Sequence, residues 1–403
     1  MSSMKIALFS PLHPMKSGIA DYTEEMLPLL RKHLEIDLYF DPQFMPTDAS
    51  LRSEFKVHPF RPDSFCASDY DAVVYHMGNY YPAHRFIYEA LRKNPGIVVL
   101  HDYVLQGFYA RRAEVERNFG EYRGLLETCY GTAGSEIADG VSRRVQPPIW
   151  ETEEALDFPL NEEVLDLATG VIVHSDFVKN RVQRKTAKPV VRIPHHGHVL
   201  KAFDRVAERK KWEVGPDEIL VSSIGFVNRN RRYERVIAAL GELADSRLSY
   251  FIAGEDRGRL LRELIAGSKV RVSVQSFLPL EELESLIVAS DICVNLRYPT
   301  MGESSGALLR QMGYARPTLI TNCGSYAEIP DWAAVKIEPG MDESALLKAH
   351  LAALIEDPDF RESLGKAASS YVRSECDIEK CAQSYADFIA ATASGRKQDG
   401  RDK

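Results

Sequence analysis

A loop in the second half of the sequence places three arginines within four residues. Arg229, Arg231 and Arg232 follow the apolar run Ile219–Ile224 and precede a helical pattern. Gly225, directly after the run, permits a close approach between the backbone and a ligand. Guanidinium groups bind phosphate oxygens through paired hydrogen bonds, and they stabilise charge on a departing phosphate without a metal ion. The loop therefore predicts a diphosphate site, with a solvated basic turn as the alternative.

A second loop combines a carboxylate with small residues at the start of a helix. Glu303 lies between Gly302 and Ser304, and a helical pattern begins at about Ser305 and Gly306. A carboxylate at this point accepts hydrogen bonds from sugar hydroxyls, while the free amides of the helix start face phosphates. The arrangement predicts a sugar contact at Glu303, and a helix cap is the alternative.

Two loops in the first half of the sequence also follow apolar runs. Gly18 lies between the run Lys5–Ser10 and a helical pattern, where free backbone amides suit a phosphate. His101 ends the run Ile97–His101, a position from which an imidazole can hydrogen-bond a sugar hydroxyl. An ordinary strand-helix turn and a structural histidine are the alternatives at these two positions.

The sequence predicts no metal site and no cofactor. Asp69 and Asp71 precede a predicted strand, whereas a ligand-binding loop is expected to follow one. His195, His196 and His198 lie in an extended segment and suit a structural or cleft-lining role better than one shared metal. The six cysteines show no metal-ligand spacing.

The runs that carry these loops alternate with amphipathic stretches, which is typical of parallel α/β sheets. The strands predicted in the first half are Lys5–Ser10, Ile36–Phe40, Ala72–His76, Ile97–His101, Val171–His174 and Val190–Ile193. Those predicted in the second half are Ile219–Ile224, Ser249–Ala253, Val270–Val274, Ile292–Leu296, Thr318–Thr321 and Ala334–Ile337. The charge-rich segment 199–216 between the two sets has no strand pattern and contains a Gly-Pro pair, which predicts a linker.

Two domains follow from this pattern and from the length of 403 residues, which exceeds what one core usually organises. The predicted first domain covers residues 1–198 and includes the C-terminal helix 380–392, and the second covers residues 217–379. Residues 394–403 are polar and are predicted to be disordered. Because open parallel sheets bind ligands at the carboxyl ends of their strands, all four loops lie on predicted ligand-binding edges.

Charge and hydropathy argue against several classes of protein. The 50 basic and 58 acidic side chains give a net charge of −8, which does not suit a nucleic-acid-binding protein. The apolar runs are far shorter than the roughly 18 residues of a membrane span, and no secretory signal is recognisable. We expect a cytoplasmic protein with at most peripheral contact with the inner face of a membrane. The arginine-bearing stretch between His101 and Trp150 faces the acceptor, an anionic membrane or only solvent.

Six phrases in order carry a resemblance to a known family. They are SPLHPMKSGIADY, VLHDYVLQG, GVIVHSDFVKN, SIGFVNRNRRYERVIAAL, FIAGEDRG and RYPTMGESSGALLRQMGYARPTLITNCGSYAEIPD. Together they resemble the retaining nucleotide-sugar glycosyltransferases of the GT-B fold, of the family 4 type, whose donor site carries a Glu-x7-Glu motif. The resemblance covers nearly the whole chain. It implies two Rossmann-like domains whose parallel sheets face each other across a cleft.

The resemblance implies transfer of a hexose-type sugar from a nucleotide-sugar donor to a glycan, lipid-linked or small-molecule acceptor, with retention and without a metal. The implied catalytic residues are Glu303, Arg231 and His101: Arg231 matches a phosphate-binding lysine, and His101 contacts the donor sugar. The implied donor-binding residues are Gly18, Gly225, Asn230, Arg232, Gly302, Ser304, Ser305, Gly306 and Gln311. The leaving phosphate takes the proton of the acceptor, and no protein nucleophile is implied. Assembly of bacterial surface polysaccharide is the family-level expectation.

Two positions depart from the family pattern. Gln311 stands where the second glutamate binds the ribose hydroxyls, and an amide binds a ribose without charge assistance, at a loss of about 1 kcal/mol. Phe226 stands where the family often has another arginine. These departures leave open a non-catalytic sugar-nucleotide-binding partner, and a GT-B epimerase or phosphorylase is a further alternative.

Overall fold

The computed structural model describes residues 4–198, 200–256 and 260–399, with side chains up to residue 395. The described chain divides into two compact units. The first unit holds the residues up to His196, those from Met301 to Ser304 and those from Ile378 onward. The second unit holds Gly197–Thr300 and Ser305–Asp377.

The first unit is built on a fully parallel sheet, which has seven strands within the described residues. The strands are β1 Met4–Phe9, β2 Leu34–Phe40, β3 Lys56–Pro59, β4 Ala72–Met77, β5 Ile97–Leu100, β6 Gly170–Val173 and β7 Val190–Arg192. Their order across the sheet is β3-β2-β1-β4-β5-β6-β7. The order reverses between β1 and β4, and at such a point the connecting loops diverge and open a crevice at the carboxyl edge.

The second unit repeats this plan with six parallel strands among the described residues. The strands are β8 Ile219–Ile224, β9 Leu248–Ala253, β10 Arg271–Gln275, β11 Ile292–Asn295, β12 Thr318–Thr321 and β13 Val335–Ile337. Their order is β10-β9-β8-β11-β12-β13. Here the order reverses between β8 and β11, so the residues that follow these two strands border the corresponding crevice.

Helices connect consecutive strands in both units. The first unit contains α1 Gly18–Leu30, α2 Ala49–Glu54, α3 Tyr81–Lys93, α4 Gln106–Val115, α5 Phe119–Ser142, α6 Glu162–Leu167 and α7 Asp176–Gln183. The second contains α8 Arg205–Lys211, α9 Tyr233–Leu243, α10 Leu261–Ala266, α11 Leu280–Ala289, α12 Gly306–Gly313, α13 Glu343–Glu356 and α14 Pro358–Glu375. The last helix, α15 Ile378–Asp399, belongs to the first unit.

The alternation of side chains along β1 explains how both faces of the first sheet are covered. Ile6 and Leu8 point to one face, where they join a core that contains Tyr22 of α1 and Tyr385 of α15. Phe9 joins the core of the other face, together with side chains of α3 and α4. The hydroxyls of Tyr22 and Tyr385 lie 2.8 Å apart, which ties α15 to α1 inside that core.

The structure confirms the predicted α/β class, and all twelve predicted strands are present with ends within two residues of the prediction. Strand β3 was not predicted. Its four residues lie at an edge of the sheet, alternate poorly between buried and exposed, and end in a proline. A short edge strand of this kind leaves no hydrophobic pattern in the sequence.

Two segments differ from the predicted chain organisation. The predicted linker 199–216 contains helix α8, which belongs to the second unit because Arg205 and Arg209 each contact a carboxylate oxygen of Asp291 at 2.7 Å. Residue 199 lies outside the described residues. The predicted disordered tail begins at Ser394, whereas α15 continues to Asp399, and residues 400–403 of that tail lie outside the described residues.

Candidate functional site

Arg231 is held at the point of the second sheet where the strand order reverses. It follows β8, and its Nη1 donates a hydrogen bond of 3.0 Å to Oδ1 of Asn295, the last residue of β11. The guanidinium lies against Gly225: a Cβ atom at Gly225 would stand 2.5 Å from Nη2 of Arg231. Gly225 also has a φ of +122°, a conformation that strongly favours glycine. The turn therefore favours glycine at position 225, and a side chain there would displace the guanidinium of Arg231 from its present position.

The hydrogen bonds around Asn295 determine the orientation of its amide. Its Oδ1 accepts from Arg231 and, at 2.9 Å, from the hydroxyl of Tyr326. Because a guanidinium only donates, the other end of the amide is the NH2 group, which donates to Oε1 of Gln311 at 3.0 Å. Nε2 of Gln311 is buried and has no hydrogen-bond partner among the described residues. Arg231 is thus positioned by a polar network that the sheet and α12 hold together.

Arg232 forms an ion pair with Glu343. It has a left-handed backbone with φ 56°, and its Nε donates to Oε1 of Glu343 at 3.2 Å. A second bond joins its Nη2 to Oε2 of the same carboxylate, and this contact raises the pKa of Arg232. Asn230 accepts a 2.7 Å bond at its backbone oxygen from the amide of Tyr298, so it fixes the loop after β11. Asn230, Arg231 and Arg232 therefore have different partners, and the predicted donor-binding roles of Asn230 and Arg232 stay predictions.

Arg297 is a cationic residue of this edge to which the sequence analysis gave no role. It follows β11 directly after Leu296, and its amide donates to Oγ1 of Thr321 at 2.9 Å. Its guanidinium carbon lies 6.0 Å from the ring centroid of Tyr326. Its position in the sequence could have indicated such a role, because a charged residue immediately after a buried strand lies on the ligand-binding edge.

Glu303 lies in a short loop that packs within the first unit. Gly302 has a φ of +77°, and a Cβ atom there would stand 2.6 Å from Cβ of Tyr103. The loop is anchored by a 3.1 Å bond from the amide of Val104 to the oxygen of Met301. Oε2 of Glu303 accepts a 2.7 Å bond from the amide of Met301, which holds the carboxylate in one orientation.

The N-cap of α12 is Ser305, whose hydroxyl accepts from the amide of Leu308 at 3.2 Å. Gly306, the first residue of α12, accepts at its oxygen from Nε2 of His198 at 2.9 Å. Nδ1 of His198 lies 2.7 Å from Nη2 of Arg310, whose guanidinium also contacts Glu284. Because an arginine only donates, Nδ1 of His198 is the acceptor and Nε2 carries the proton. Both ring nitrogens of His198 therefore have hydrogen-bond partners within the second unit, and the predicted structural or cleft-lining role stays a prediction.

Three histidines at the carboxyl ends of neighbouring strands of the first sheet form a hydrogen-bonded row: His76 lies near the end of β4, and His101 and His174 directly follow β5 and β6. Nδ1 of His174 lies 2.9 Å from the oxygen of Ile193, so this nitrogen is the donor. Nε2 of His174 consequently accepts from Nδ1 of His101 at 3.2 Å, and Nε2 of His101 accepts from Nδ1 of His76 at 3.0 Å. One backbone carbonyl thus fixes the tautomers of His174, His101 and His76.

The histidine row (His76, His101 and His174) is buried and uncharged. Burial lowers the pKa of His76 to about 3 and that of His174 to about 4, and neighbouring imidazoles lower the pKa of His76 further. Burial also holds the pKa of His101 well below its usual value. His84, whose Nδ1 donates to the oxygen of His76 at 3.1 Å, has its pKa lowered by burial to about 4. All four imidazoles are neutral at physiological pH.

Solved structures with this arrangement of strands come from glycosyltransferases and a sucrose-phosphate synthase. The synthase, from Thermosynechococcus elongatus, superposes with a TM-score of 0.67 at 18% identity over 96% of this chain and 100% of that chain. HepE from Anabaena, in complex with UDP-glucose, gives 0.64 at 16% identity over 96% and 100%. WaaG, a glycosyltransferase involved in lipopolysaccharide biosynthesis, gives 0.61 at 15% identity over 95% and 99%. Neither a protein-family model nor a curated protein sequence matches the chain.

The chain has the GT-B fold. This confirms the fold that the six sequence phrases predict. The identities are too low to carry over an activity or the role of a residue. The predicted donor-binding and catalytic roles therefore depend on the geometry of this chain's own residues.

His101 lies at the carboxyl edge of the first GT-B sheet, as predicted, but both of its ring nitrogens already have partners in the histidine row. A hydrogen bond from an imidazole nitrogen to a sugar would require one of these bonds to open. The predicted contact between His101 and the donor sugar stays a prediction. The present geometry supports the structural alternative that the sequence left open.

Gly18 is the first residue of α1, after the N-cap Ser17, whose hydroxyl accepts from the amide of Ile19 at 3.2 Å. A Cβ atom at Gly18 would meet no atom of the described residues within 4 Å. The space beside this helix start is therefore open. The predicted contact with donor phosphates at this position stays a prediction.

The arginine-bearing stretch after His101 is largely paired with acidic residues. Arg112 contacts Glu116 at 3.0 Å and Glu121 at 2.9 Å, and Arg111 and Arg123 each contact a carboxylate of their own unit. Such pairing favours the solvated-helix interpretation of this stretch. No helix among the described residues is both long and apolar enough to cross a bilayer.

We expect Gln311→Glu to lower the free energy of unfolding by about 1–3 kcal/mol. A carboxylate at this position still accepts from Asn295, but it brings a charge into a site where the side chain is 0% exposed. Chemical denaturation at neutral pH measures the loss, and Gln275→Glu on the exposed strand β10 is the matched control. Unchanged stability together with tighter donor binding would show that position 311 meets ribose hydroxyls, as the resemblance implies.

Proposed function

We propose that the protein is a retaining, metal-independent glycosyltransferase. In this proposal it moves a hexose-type sugar from a nucleotide-sugar donor to a glycan, lipid-linked or small-molecule acceptor. The observation that carries the proposal is the position of Arg231. Its guanidinium is held by Asn295 and packed on Gly225 at the crevice of the second sheet, where GT-B and other doubly wound sheets bind ligands. A preorganised cation there stabilises the charge that develops on a departing diphosphate.

The reaction requires little covalent chemistry from the protein. The bond between the anomeric carbon and the phosphate oxygen breaks, a bond to the acceptor oxygen forms on the same face, and the acceptor's proton passes to the leaving phosphate. Arg231 stabilises that phosphate, and Glu303, oriented by the amide of Met301, accepts hydrogen bonds from sugar hydroxyls. Because the guanidinium supplies the positive charge, no divalent metal is needed in this scheme.

The titles of the similar structures indicate which donors to test first. HepE was solved with UDP-glucose and with UDP and glucose, and sucrose-phosphate synthase and WaaG are named as enzymes of sugar transfer or sugar synthesis. These proteins support a nucleotide-sugar donor for this chain. We propose that the protein takes part in the assembly of a surface polysaccharide. It acts in the cytoplasm in this proposal, with at most peripheral attachment to the membrane.

A thermal-shift screen with UDP-, GDP-, ADP- and dTDP-linked sugars tests the proposal. A donor present at 100 times its Kd stabilises the folded protein by about 2.7 kcal/mol. We expect a clear rise in Tm with one class of donor and none with the others. The same shift after treatment with EDTA supports metal independence. No shift with any of the four classes would contradict the proposal.

One alternative has an observation in its favour. Gln311 and His101 both have polar atoms engaged in internal hydrogen bonds, which suits a partner that binds a sugar nucleotide without turnover. Turnover assays with the donor found in the screen separate the two functions. Release of free nucleoside diphosphate that depends on an added acceptor supports transfer. Binding of the donor without turnover by any acceptor supports the non-catalytic partner.

A further inference from the structure

The loops after β8 and β11 bring two arginines to one crevice. These strands are neighbours in the sheet, with Cys293 opposite Ser222 in the register, and the strand order reverses between them. Arg231 follows β8 and Arg297 follows β11. The backbone of Arg297 is fixed on both sides, since its amide donates to Thr321 at 2.9 Å and its oxygen accepts from Sγ of Cys323 at 3.2 Å.

Tyr326 connects the two guanidinium groups. Its hydroxyl and Nη1 of Arg231 donate to the same atom, Oδ1 of Asn295, at 2.9 and 3.0 Å. The guanidinium of Arg297 lies 6.0 Å from the centroid of the Tyr326 ring, which is the range of a cation–π contact. A single aromatic side chain therefore touches the group that orients Arg231 and also supports Arg297.

The electrostatics of a buried neighbour agree with this placement. Burial raises the pKa of Tyr233, and the positive charges of Arg231 and Arg297 both oppose that rise. Both guanidinium charges therefore act on one phenol at the start of α9. Arg232, in contrast, is neutralised by the fully buried Glu343.

A nucleoside diphosphate has two phosphate groups, and the paired hydrogen bonds of one guanidinium suit a single phosphate group best. We propose that Arg297 is the second phosphate-binding guanidinium of the nucleotide-sugar site and acts together with Arg231 on one diphosphate. This inference rests on the proposed function and extends it. In this arrangement the positive charge of the phosphate site comes from the loops after both β8 and β11, and not from the arginine cluster of residues 229–232 alone.

Inorganic pyrophosphate is the probe, because it carries the diphosphate without a base or a sugar. Isothermal titration calorimetry of the full chain compares the wild type with Arg297→Met, Arg297→Lys and Arg231→Met. We expect Arg297→Met to weaken binding at least tenfold and Arg297→Lys to weaken it less, since lysine keeps the charge and loses the planar fork. Arg247→Met is the matched control, because Arg247 precedes β9 at the opposite, amino edge of the same sheet.

The stoichiometry of pyrophosphate binding provides a second readout. If both arginines hold one diphosphate, the wild type binds one pyrophosphate and each substitution weakens that same binding event, whereas two independent anion sites bind two and lose one site in each single variant. Wild-type affinity in Arg297→Met, or two independent pyrophosphate sites in the wild type, would overturn the inference and leave the proposed function in place. If the wild type binds neither pyrophosphate nor any nucleotide sugar, the inference and the proposed function fail together.

Discussion

Arg231→Ala is expected to lower turnover by about two orders of magnitude or more, as the loss of one preorganised charge contact does in other active sites. The substitution removes the guanidinium that packs on Gly225 and donates to Asn295. Steady-state rates with the donor identified by the thermal-shift screen measure the effect. The loss should appear mainly in kcat, because the leaving diphosphate gains its extra charge only in the transition state.

Two controls make this result specific. Arg247→Ala removes an exposed arginine that is paired with Asp245 in the same unit, and it should leave turnover unchanged. Arg231→Lys keeps a charge near Gly225 and should recover part of the rate. Near-normal turnover in a folded Arg231→Ala protein would remove Arg231 from the catalytic assignment. A variant that has lost its cooperative unfolding transition would be replaced by Arg231→Met, which keeps most of the apolar stem.

Acidification from pH 7.5 to pH 5 is expected to destabilise the first unit strongly. The pKa of His76 is about 3 and those of His84 and His174 are about 4, whereas each is 6.5 in an unfolded chain. Between these values the unfolded state binds protons that the folded state does not, so the stability is complete above pH 6.5 and is lost as the pH falls toward 4. The loss at pH 5 is about 2 kcal/mol for each histidine, or about 6 kcal/mol if the three titrate independently.

His13 changes stability in the opposite direction. Side-chain hydrogen bonds with Asp21 and Glu24 raise the pKa of His13 to about 10, so its contribution is complete below pH 6.5 and is lost as the pH rises toward 10. Its side chain is 40% exposed, and solvent screening reduces the size of this term. The buried histidines therefore dominate on the acid side, and His13 offsets only part of their effect.

Denaturant unfolding at a series of pH values measures the acid effect on the first unit. Trp150 lies in that unit, and a Trp212→Phe/Trp332→Phe background removes the tryptophans of the second unit. We expect a slope of about 1.4 kcal/mol per pH unit for each of the three histidines near pH 5. His84→Gln should reduce the total slope by about 1.4 kcal/mol per pH unit, which is the contribution of one proton. A stability that does not change between pH 6.5 and pH 5 would contradict the neutral, buried state of these imidazoles.

The sequence predicted the sheets well because several central strands are continuous apolar runs buried on both faces, such as Ile97–Leu100. It also placed Gly225 and His101 directly after strands, and Arg231 in the loop that follows β8. Strand β3 escaped prediction because an exposed edge strand that ends in Pro59 has no such pattern. The local signal therefore predicted the elements and the edge on which the candidate site lies.

The sequence could not predict the hydrogen-bond and ion-pair partners of the site residues, because these partners come from distant parts of the chain. Arg232 resembles its neighbour Arg231 in every local respect, but Glu343, 111 residues away, accepts both of its bonds. The two bonds of His101 come from histidines on the adjacent strands β4 and β6 or directly after them. Only the register of the sheet reveals that its nitrogens are occupied.

Helix α15 has a consequence for the order in which the protein folds during synthesis. Tyr385 and Ile389 complete the core on one face of the first sheet, next to Leu8 and Leu38. That core stays incomplete until α15 leaves the ribosome, whereas the strands β8 to β13 of the second unit have already emerged. The first unit therefore completes its core only after the strands of the second unit have been synthesised, in contrast to the usual N-terminal-first order. We expect the nascent first unit to expose part of this apolar sheet face until α15 docks, which favours contact with chaperones.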